Sequence, residues 1–404
     1  MLNIIWAAFF ILALCSALWQ SINGNLAVWQ NILNSIFTSA DNGFKISIGL
    51  TGVLCFWLGL LKIAEKSGMI NILAKFLTPF FHAIMPDIPK NSPAFGSIVM
   101  NVAANVLGLD NAATPMGLKA MEQLQQHNPH KDKASNSQTM FLILNSSSLT
   151  LLPITIMLYR FQMGSSNPSL VFVPILIATT TSTLAGFLIT ALWQKINIFQ
   201  PIILSYLIAG ILFALGLIYI FQQDEFKTTI PIISNIILYS LIMLFIIGGL
   251  IKHLKVYEIF IDGAKEGFKI AIQIIPYLVA MLVAIGVFRA SGGFDYMCDI
   301  IVCILQFFNI NTDFAAALPT ALMKPLSGNG ARALMLDTFN TYGVDSFAGF
   351  TTSILQGSTE TTFYVLAVYF GAVKITKTGA TLPLALFADF CGIVSAIILA
   401  YIFY

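Results

Sequence analysis

Apolar residues in this chain run in stretches of about 20, the length needed to cross a hydrocarbon core. The pattern predicts membrane-spanning helices near 1–20, 46–64, 138–160, 170–194, 201–221, 230–251, 268–289, 350–372 and 381–403. Two regions, 69–120 and 294–345, depart from it. They are moderately apolar but interrupted by Gly, Pro, Asn and Asp, which predicts short broken helices or re-entrant hairpins rather than full spans. Non-helical backbone at membrane depth is tolerated only where protein or a cavity covers it.

The pattern also repeats. "GFKISIGL" at 43–50 aligns with "GFKIAIQI" at 267–274, and without a gap Ser67-Gly68 then meets Ser291-Gly292, with nine identities over 26 positions. Each copy runs in the same order: a span, a broken region, a polar-headed span and another span. "FLILNSSSLTLLPI" (141–154) falls where "TSILQGSTETTFYV" (352–365) falls. Five predicted crossings separate the two starts. An odd number inverts the second copy in the membrane, an arrangement typical of secondary transporters whose site lies where the repeats meet. The predicted division is an N-terminal half, 1–200, and a C-terminal half, 201–404.

Composition agrees with a membrane class. Of 404 residues 57% are hydrophobic and 9% charged, against about 25% charged in soluble domains. The net charge of +2 and the absence of any basic tract give no reason to expect a nucleic-acid partner. The five cysteines sit in apolar segments with no Cys-x-x-Cys pair and read as small buried hydrophobes. The first 20 residues lack a charged leader and read as a retained helix rather than a signal peptide. Lysines set the expected orientation. Lys252, Lys255, Lys265 and Lys269 place a 252–269 loop in the cytoplasm. Counting outward from there puts the 119–137 loop, Lys374, Lys377 and the N-terminus inside, with loop 161–169 and the C-terminus outside.

Four polar clusters interrupt the apolar pattern. In the first, Asn101 and Asn105 are four apart, hence on one helix face, and Asp110 and Asn111 follow a Gly-containing break. The second is "NSSS" (145–148), inside a predicted span with Pro153 after it. In the third, "SGNGA" (327–331), with Asn329, is a turn leading into a helix expected near Ala331. Its free N–H groups favour anions or polar oxygens, and Arg332 stands in the first turn. In the fourth, Gln356, Ser358, Thr359 and Glu360 crowd into a few residues ahead of an apolar run. A carboxylate at a helix centre costs about 2.5–3.5 kcal/mol on insertion, so Glu360 is expected to face a cavity or an ion-pair partner, Arg332 or Arg289. The others have structural alternatives: Asn, Ser and Thr can simply join neighbouring helices, and Lys324 and Arg332 can snorkel to headgroups.

Enzyme signatures are missing: there is no His-Glu-x-x-His, no Gly-x-Ser-x-Gly and no phosphate loop ending in Gly-Lys-Ser/Thr. Residues 91–160, with "NVAANVLGLDNAATPMGLKAMEQLQ" and "LNSSSLTLLPITI", resemble spore maturation protein A. Residues 262–373, with "KPLSGNGARALMLD" and "QGSTETTFYVLAVYFG", resemble spore maturation protein B. The chain thus looks like a fusion of the two, within the wider nucleoside-recognition, or gate, group that includes concentrative nucleoside transporters. The resemblance implies an all-α polytopic membrane protein with two inverted-topology repeats and broken helices, resident in the bacterial cytoplasmic membrane among its lipids. The expectation is a non-enzymatic permease for a small polar solute, nucleoside-like solutes being one candidate, with no cofactor beyond a coupling Na⁺ or proton. A homo-oligomer is compatible with this, and the competing expectation is a non-transporting maturation factor. The predicted substrate-binding residues are Asn101, Asn105, Asp110, Asn111, Asn329, Arg332, Gln356, Ser358, Thr359 and Glu360.

Overall fold

The computed structural model describes residues 2–106, 110–222, 230–307 and 311–404. It is helical apart from one isolated β-bridge between Lys133 and Lys377. The first part of the chain forms α1 (Leu2–Ile22), α2 (Ala27–Lys66), α3 (Met69–Ile84), α4 (Pro93–Val106), α5 (Asp110–His127), α6 (Asn136–Ser147), α7 (Ile154–Gln162) and α8 (Phe172–Trp193). After α9 (Pro201–Gln222) come α10 (Ile230–Ile251), α11 (Val256–Ala290), α12 (Gly293–Phe307), α13 (Leu318–Met323), α14 (Gly328–Tyr342), α15 (Phe347–Gly357), α16 (Thr362–Ala372) and α17 (Thr381–Phe403). Four helices among the described residues are long and apolar enough to cross a membrane: Ala27–Lys66, Pro168–Trp193, Pro201–Tyr219 and Thr381–Phe403. The architecture fits a multi-pass membrane protein.

From α2 to α8 and from α11 to α17 the elements follow the same order, and the same local chemistry ends and starts them. Gly68 and Gly292 take φ of +79° and +72° just past α2 and α11, a left-handed conformation that suits glycine. The preceding serines also behave alike: Ser67 donates to Ala64 O at 2.9 Å and Ser291 to Phe288 O at 2.7 Å. Ser135 caps α6 in a reciprocal capping box with Gln138, and Ser346 caps α15 by accepting from Gly349 N at 3.0 Å.

Two expectations about these helices are corrected. The predicted spans 46–64 and 268–289 are parts of longer helices: α2 has 40 residues and α11 has 35. Most of the expected 252–269 loop is therefore helix, and Lys265 and Lys269 lie on α11 rather than in a loop. The extra turns are held because α2 and α11 pack antiparallel along their lengths. Gly43 faces Val279, Gly59 faces Phe260 and Gly267 faces Cys55, so small residues bring the two backbones close.

The second correction concerns the two polar-headed spans. Neither 138–160 nor 350–372 is one continuous helix. The first breaks between Ser147 and Ile154, where Ser148 has a φ of +28° and Pro153 lacks an N–H to continue a ladder. The second breaks between Gly357 and Thr362. The regions 69–120 and 294–345 are indeed short helices: α4 pairs with α5 and α13 with α14.

Loops tie the halves together at two places. Beyond α5, Asp132 pairs with Lys377 at 2.7 Å, and the backbone N–H groups of Thr376 and Lys377 donate to Asp132 O. Beyond α7, Ser165 and Ser166 donate to Asp345, which also accepts from Arg160 at 2.8 Å. The two loops expected on one membrane face, 119–137 and the one bearing Lys374 and Lys377, thus meet.

Candidate functional site

The two helix breaks cross. Glu360 N donates to Ser146 O at 2.9 Å, stitching one break to the other. Each break is also bonded to the neighbouring hairpin: Leu151 N donates to Val106 O at 2.9 Å, and Phe363 N to Pro325 O at 3.0 Å. Unwound backbone at Leu151 and Glu360 is in this way paired with the last carbonyls of α4 and α6, and unwound Pro325 with the start of α16, which lets it persist away from water.

A cavity of about 840 Å³ opens beside the crossing. Its wall combines apolar side chains of α2 (Trp57, Leu58, Leu61) with polar groups from both breaks and from α14: Asn105, Thr150, Ser327, Asn329, Arg332, Gln356, Thr359, Glu360 and Thr361. The starts of three helices, α7, α14 and α16, contribute lining residues. Helix starts carry N–H groups without intrahelical partners and the positive end of the helix dipole. The start of α14 comes one turn earlier than expected, at Gly328, because Ser327 caps it by accepting from Gly330 N at 3.0 Å.

Of the predicted residues, Asn105, Asn329, Arg332, Gln356, Thr359 and Glu360 share this wall. Arg332 donates to Asn329 Oδ1 at 3.2 Å and lies 5.5 Å from the Tyr159 ring, a cation–π distance. The Gln356 amide approaches Gly328 O at 3.5 Å, and its buried Oε1 has no partner. Asn105 is joined to Asn145 at 2.8 Å. Arg289 is not the partner of Glu360: it is bonded to Asp337 at 2.9 Å, away from the cavity. Nor does Lys324 snorkel to headgroups. It is 6% exposed and lines the cavity.

Asn101 and Ser358 stand elsewhere. Asn101 is fully buried in the α4–α5 hairpin, donating to Ala113 O at 2.8 Å, with Tyr369 Oη at 3.4 Å. Ser358 is buried and donates to Leu355 O at 2.9 Å, closing the last turn of α15. Neither is among the residues that line the cavity. Asp110 and Asn111 open α5, but their side chains lie outside the described residues.

The sequence reading overlooked Asp389. It is 1% exposed in the middle of α17, and its Oδ2 accepts from Thr362 Oγ1 at 2.6 Å. Thr362 in turn bonds Ser146. A lone acidic residue inside a 23-residue apolar helix was a legible signal.

Comparison with known proteins finds a matching family and similar proteins. The family described as nucleoside recognition, or Gate, matches residues 47–161, from the second half of α2 through α7. Spore maturation protein A of Bacillus subtilis (strain 168) is 41% identical over 189 residues, 47% of this chain and 93% of that protein. The chain belongs to the spore maturation protein A and B family. Spore maturation protein B of the same organism is 46% identical over 168 residues, 42% of this chain and 88% of that protein. No solved structure matches the chain. In this chain the matched Gate segment supplies one face of the cavity, with Asn105, Thr150 and Tyr159.

Proposed function

We propose that the chain is a permease of the bacterial cytoplasmic membrane that moves a small polar solute through the cavity at the crossed helix breaks, without enzymatic chemistry. The observation that carries this reading is the polar wall itself: unwound backbone, three helix starts and polar side chains from both halves, with Lys324, Arg332 and Glu360 from the second, converge on one space of about 840 Å³. Ligand sites for small molecules fall between about 300 and 1,000 Å³. Discontinuous helices meeting at a repeat interface are how many secondary transporters build a site. The antiparallel match of α2 with α11 supports reading the two halves as inverted repeats, as in concentrative nucleoside transporters. Asn105, Gln356, Thr359 and Glu360 would bond solute hydroxyl or amine groups, with Asn329, Arg332 and the α14 start on its more electronegative end. Nucleoside-like solutes are a candidate because the matched family is described by nucleoside recognition.

The relatives are named for spore maturation, which favours a second reading, a maturation factor that keeps the fold as a scaffold. A thermal-shift screen of the purified chain in detergent separates the two. Nucleosides, small carboxylates, amino acids and dipeptides are tested with and without Na⁺ and across pH. A solute that binds the folded state stabilises it. A shift that disappears in Glu360→Gln supports the permease; a flat panel with an equally stable mutant transfers the weight to the scaffold.

A further inference from the structure

Behind the cavity wall, Asp389 is buried on α17 with half of its carboxylate unused. Oδ2 accepts from Thr362, but Oδ1 has no partner, and neither has the buried hydroxyl of Thr359. Thr359 is 3% exposed, lines the cavity and stands close to hydrogen-bond range of the Asp389 carboxylate. Gly392, one turn further along α17, brings the two together. A Cβ there would stand 2.7 Å from Thr359 Cγ2 and 3.1 Å from Ser182 Cβ, so only a bare backbone comes this close.

The charges around Asp389 are few. Lys324 faces it from the end of α13 and Glu360 from the second break. The helices α6, α8 and α15, which pack against α17, carry no charged or titratable side chain at all. On α16, Tyr369 is engaged near Asn101 and Tyr364 is 61% exposed. On α9, Tyr206 donates to Phe76 O. With both carboxylates ionised, two negative charges face the Lys324 ammonium across a medium of low dielectric. An ionised carboxylate can accept about four hydrogen bonds and is costly to bury with fewer. One proton placed on Oδ1 removes the excess charge, and Thr359 Oγ1 can pair with Oδ1 in either state, as acceptor when the carboxyl is protonated and as donor when it is ionised.

We propose that Asp389 is a proton-binding site that exchanges one proton with the cavity by way of Thr359. In the loaded state Asp389 Oδ1–H donates to Thr359 Oγ1. In the unloaded state the proton has passed to cavity water, and the carboxylate is held by Thr362 with Lys324 facing it. Because Thr362 opens α16 and also bonds Ser146 at the end of α6, the charge of Asp389 acts on the point where the breaks cross. Its coupling to solute movement rests on the permease reading; proton binding does not.

Infrared titration of the full chain in lipid vesicles tests this. A protonated-carboxyl C=O band that converts to carboxylate as pH rises is expected in the wild type. It should be absent in Asp389→Asn, and present but displaced along the pH axis in Glu360→Gln, which removes the neighbouring charge, and in Thr359→Val. A spectrum unchanged by Asp389→Asn overturns the proposal, as does a band that responds to added Na⁺ at constant pH, which marks a sodium site. Should Asp389→Asn misfold, Thr359→Val decides, an undisplaced titration being the overturning result. Solute accumulation that ignores an imposed pH gradient removes the coupling clause alone. A wild type that moves no solute removes the permease reading and leaves the infrared result standing.

Discussion

Gly267 lies against the backbone of Cys55, and Gly43 lies against the backbone of Val279, so one contact is made twice with the helices exchanged. Gly43 and Gly267 hold the same place in the repeated "GFKI", and Cys55 and Val279 each stand twelve residues further on. This is the self-complementary pattern of a two-fold relation, here between α2 and α11 of one chain. The clearances differ. A Cβ at 267 would meet Cys55 Cα and N at 2.8 Å, whereas one at 43 would meet Val279 Cα at 3.1 Å. Gly267→Ala should therefore force the helices apart and cost about 1–3 kcal/mol, the usual range for overpacking. Gly43→Ala should cost less, because helix propensity favours Ala and the neighbour need move only slightly. Thermal unfolding of the two variants in detergent checks the order, and equal losses would count against the contact as described.

Much of this was legible in the chain. The repeat was visible because "GFKI" and the Ser-Gly helix stops recur at the same spacing, with apolar identities between them. The breaks were not. In "NSSSLTLLPI" and "QGSTETTFYV" the apolar content meets the demand of a span, while unwinding depends on backbone partners such as Val106 O and Pro325 O that come from distant elements. For the same reason Asn101 looked like Asn105. They share a helix face, but Asn101 lies nearer the start of α4, where Ala113 of the partner helix covers it. Lys324 read as an interfacial residue because a sequence does not show that α13 stops after six residues and turns inward.

Glu360 is the sharpest test of the cavity. It is half-buried on the wall, and its backbone rather than its side chain holds the crossing to Ser146. Glu360→Gln keeps that backbone bond and the side chain's shape, so the melting temperature should stay near wild type. Solute uptake by proteoliposomes, or the ligand-induced thermal shift, should be lost. A variant that binds and transports like wild type would remove the side chain from the site.

Asn101 and Asn105 should part company on mutation. Asn101→Ala removes a buried hydrogen bond to the Ala113 carbonyl inside a closed hairpin, which costs about 0.5–1.5 kcal/mol, and it touches no cavity surface. Its ligand Kd should match that of the wild type once the protein is compared at a temperature where both are folded. Asn105→Ala should weaken ligand binding with a smaller loss of stability, because the site is partly open. Calorimetric titration beside a melting curve resolves the pair; a weakened Kd in Asn101→Ala would show that the hairpin communicates with the wall.

The two loop clips differ in burial, and acid should tell them apart. Arg160 is 1% exposed and donates to Val344 O at 3.0 Å, Ser353 Oγ at 3.1 Å and Asp345 at 2.8 Å. Arg160→Leu should thus cost on the order of 3 kcal/mol, much of it from the stranded backbone and hydroxyl partners. For Asp345, burial works to raise the carboxyl, but hydrogen bonds from Ser165 and Ser166 and the Arg160 charge outweigh it and hold the group below its ordinary value. A carboxyl lowered in the folded state contributes stability that is full above its unfolded value, about 4, and is lost as pH falls through the folded one. The wild type should therefore lose stability below about pH 4, and Asp345→Asn should flatten that part of the profile while lowering stability at neutral pH. At the other clip, the hydrogen bond and charge of Lys377 likewise lower the carboxyl of Asp132. That pair is exposed and screened by solvent and salt, so Asp132→Asn should leave both the neutral melting temperature and the acid slope almost unchanged. Melting temperatures measured across the acid range for both variants check this, and an acid slope that follows Asp132 instead of Asp345 would reverse the assignment.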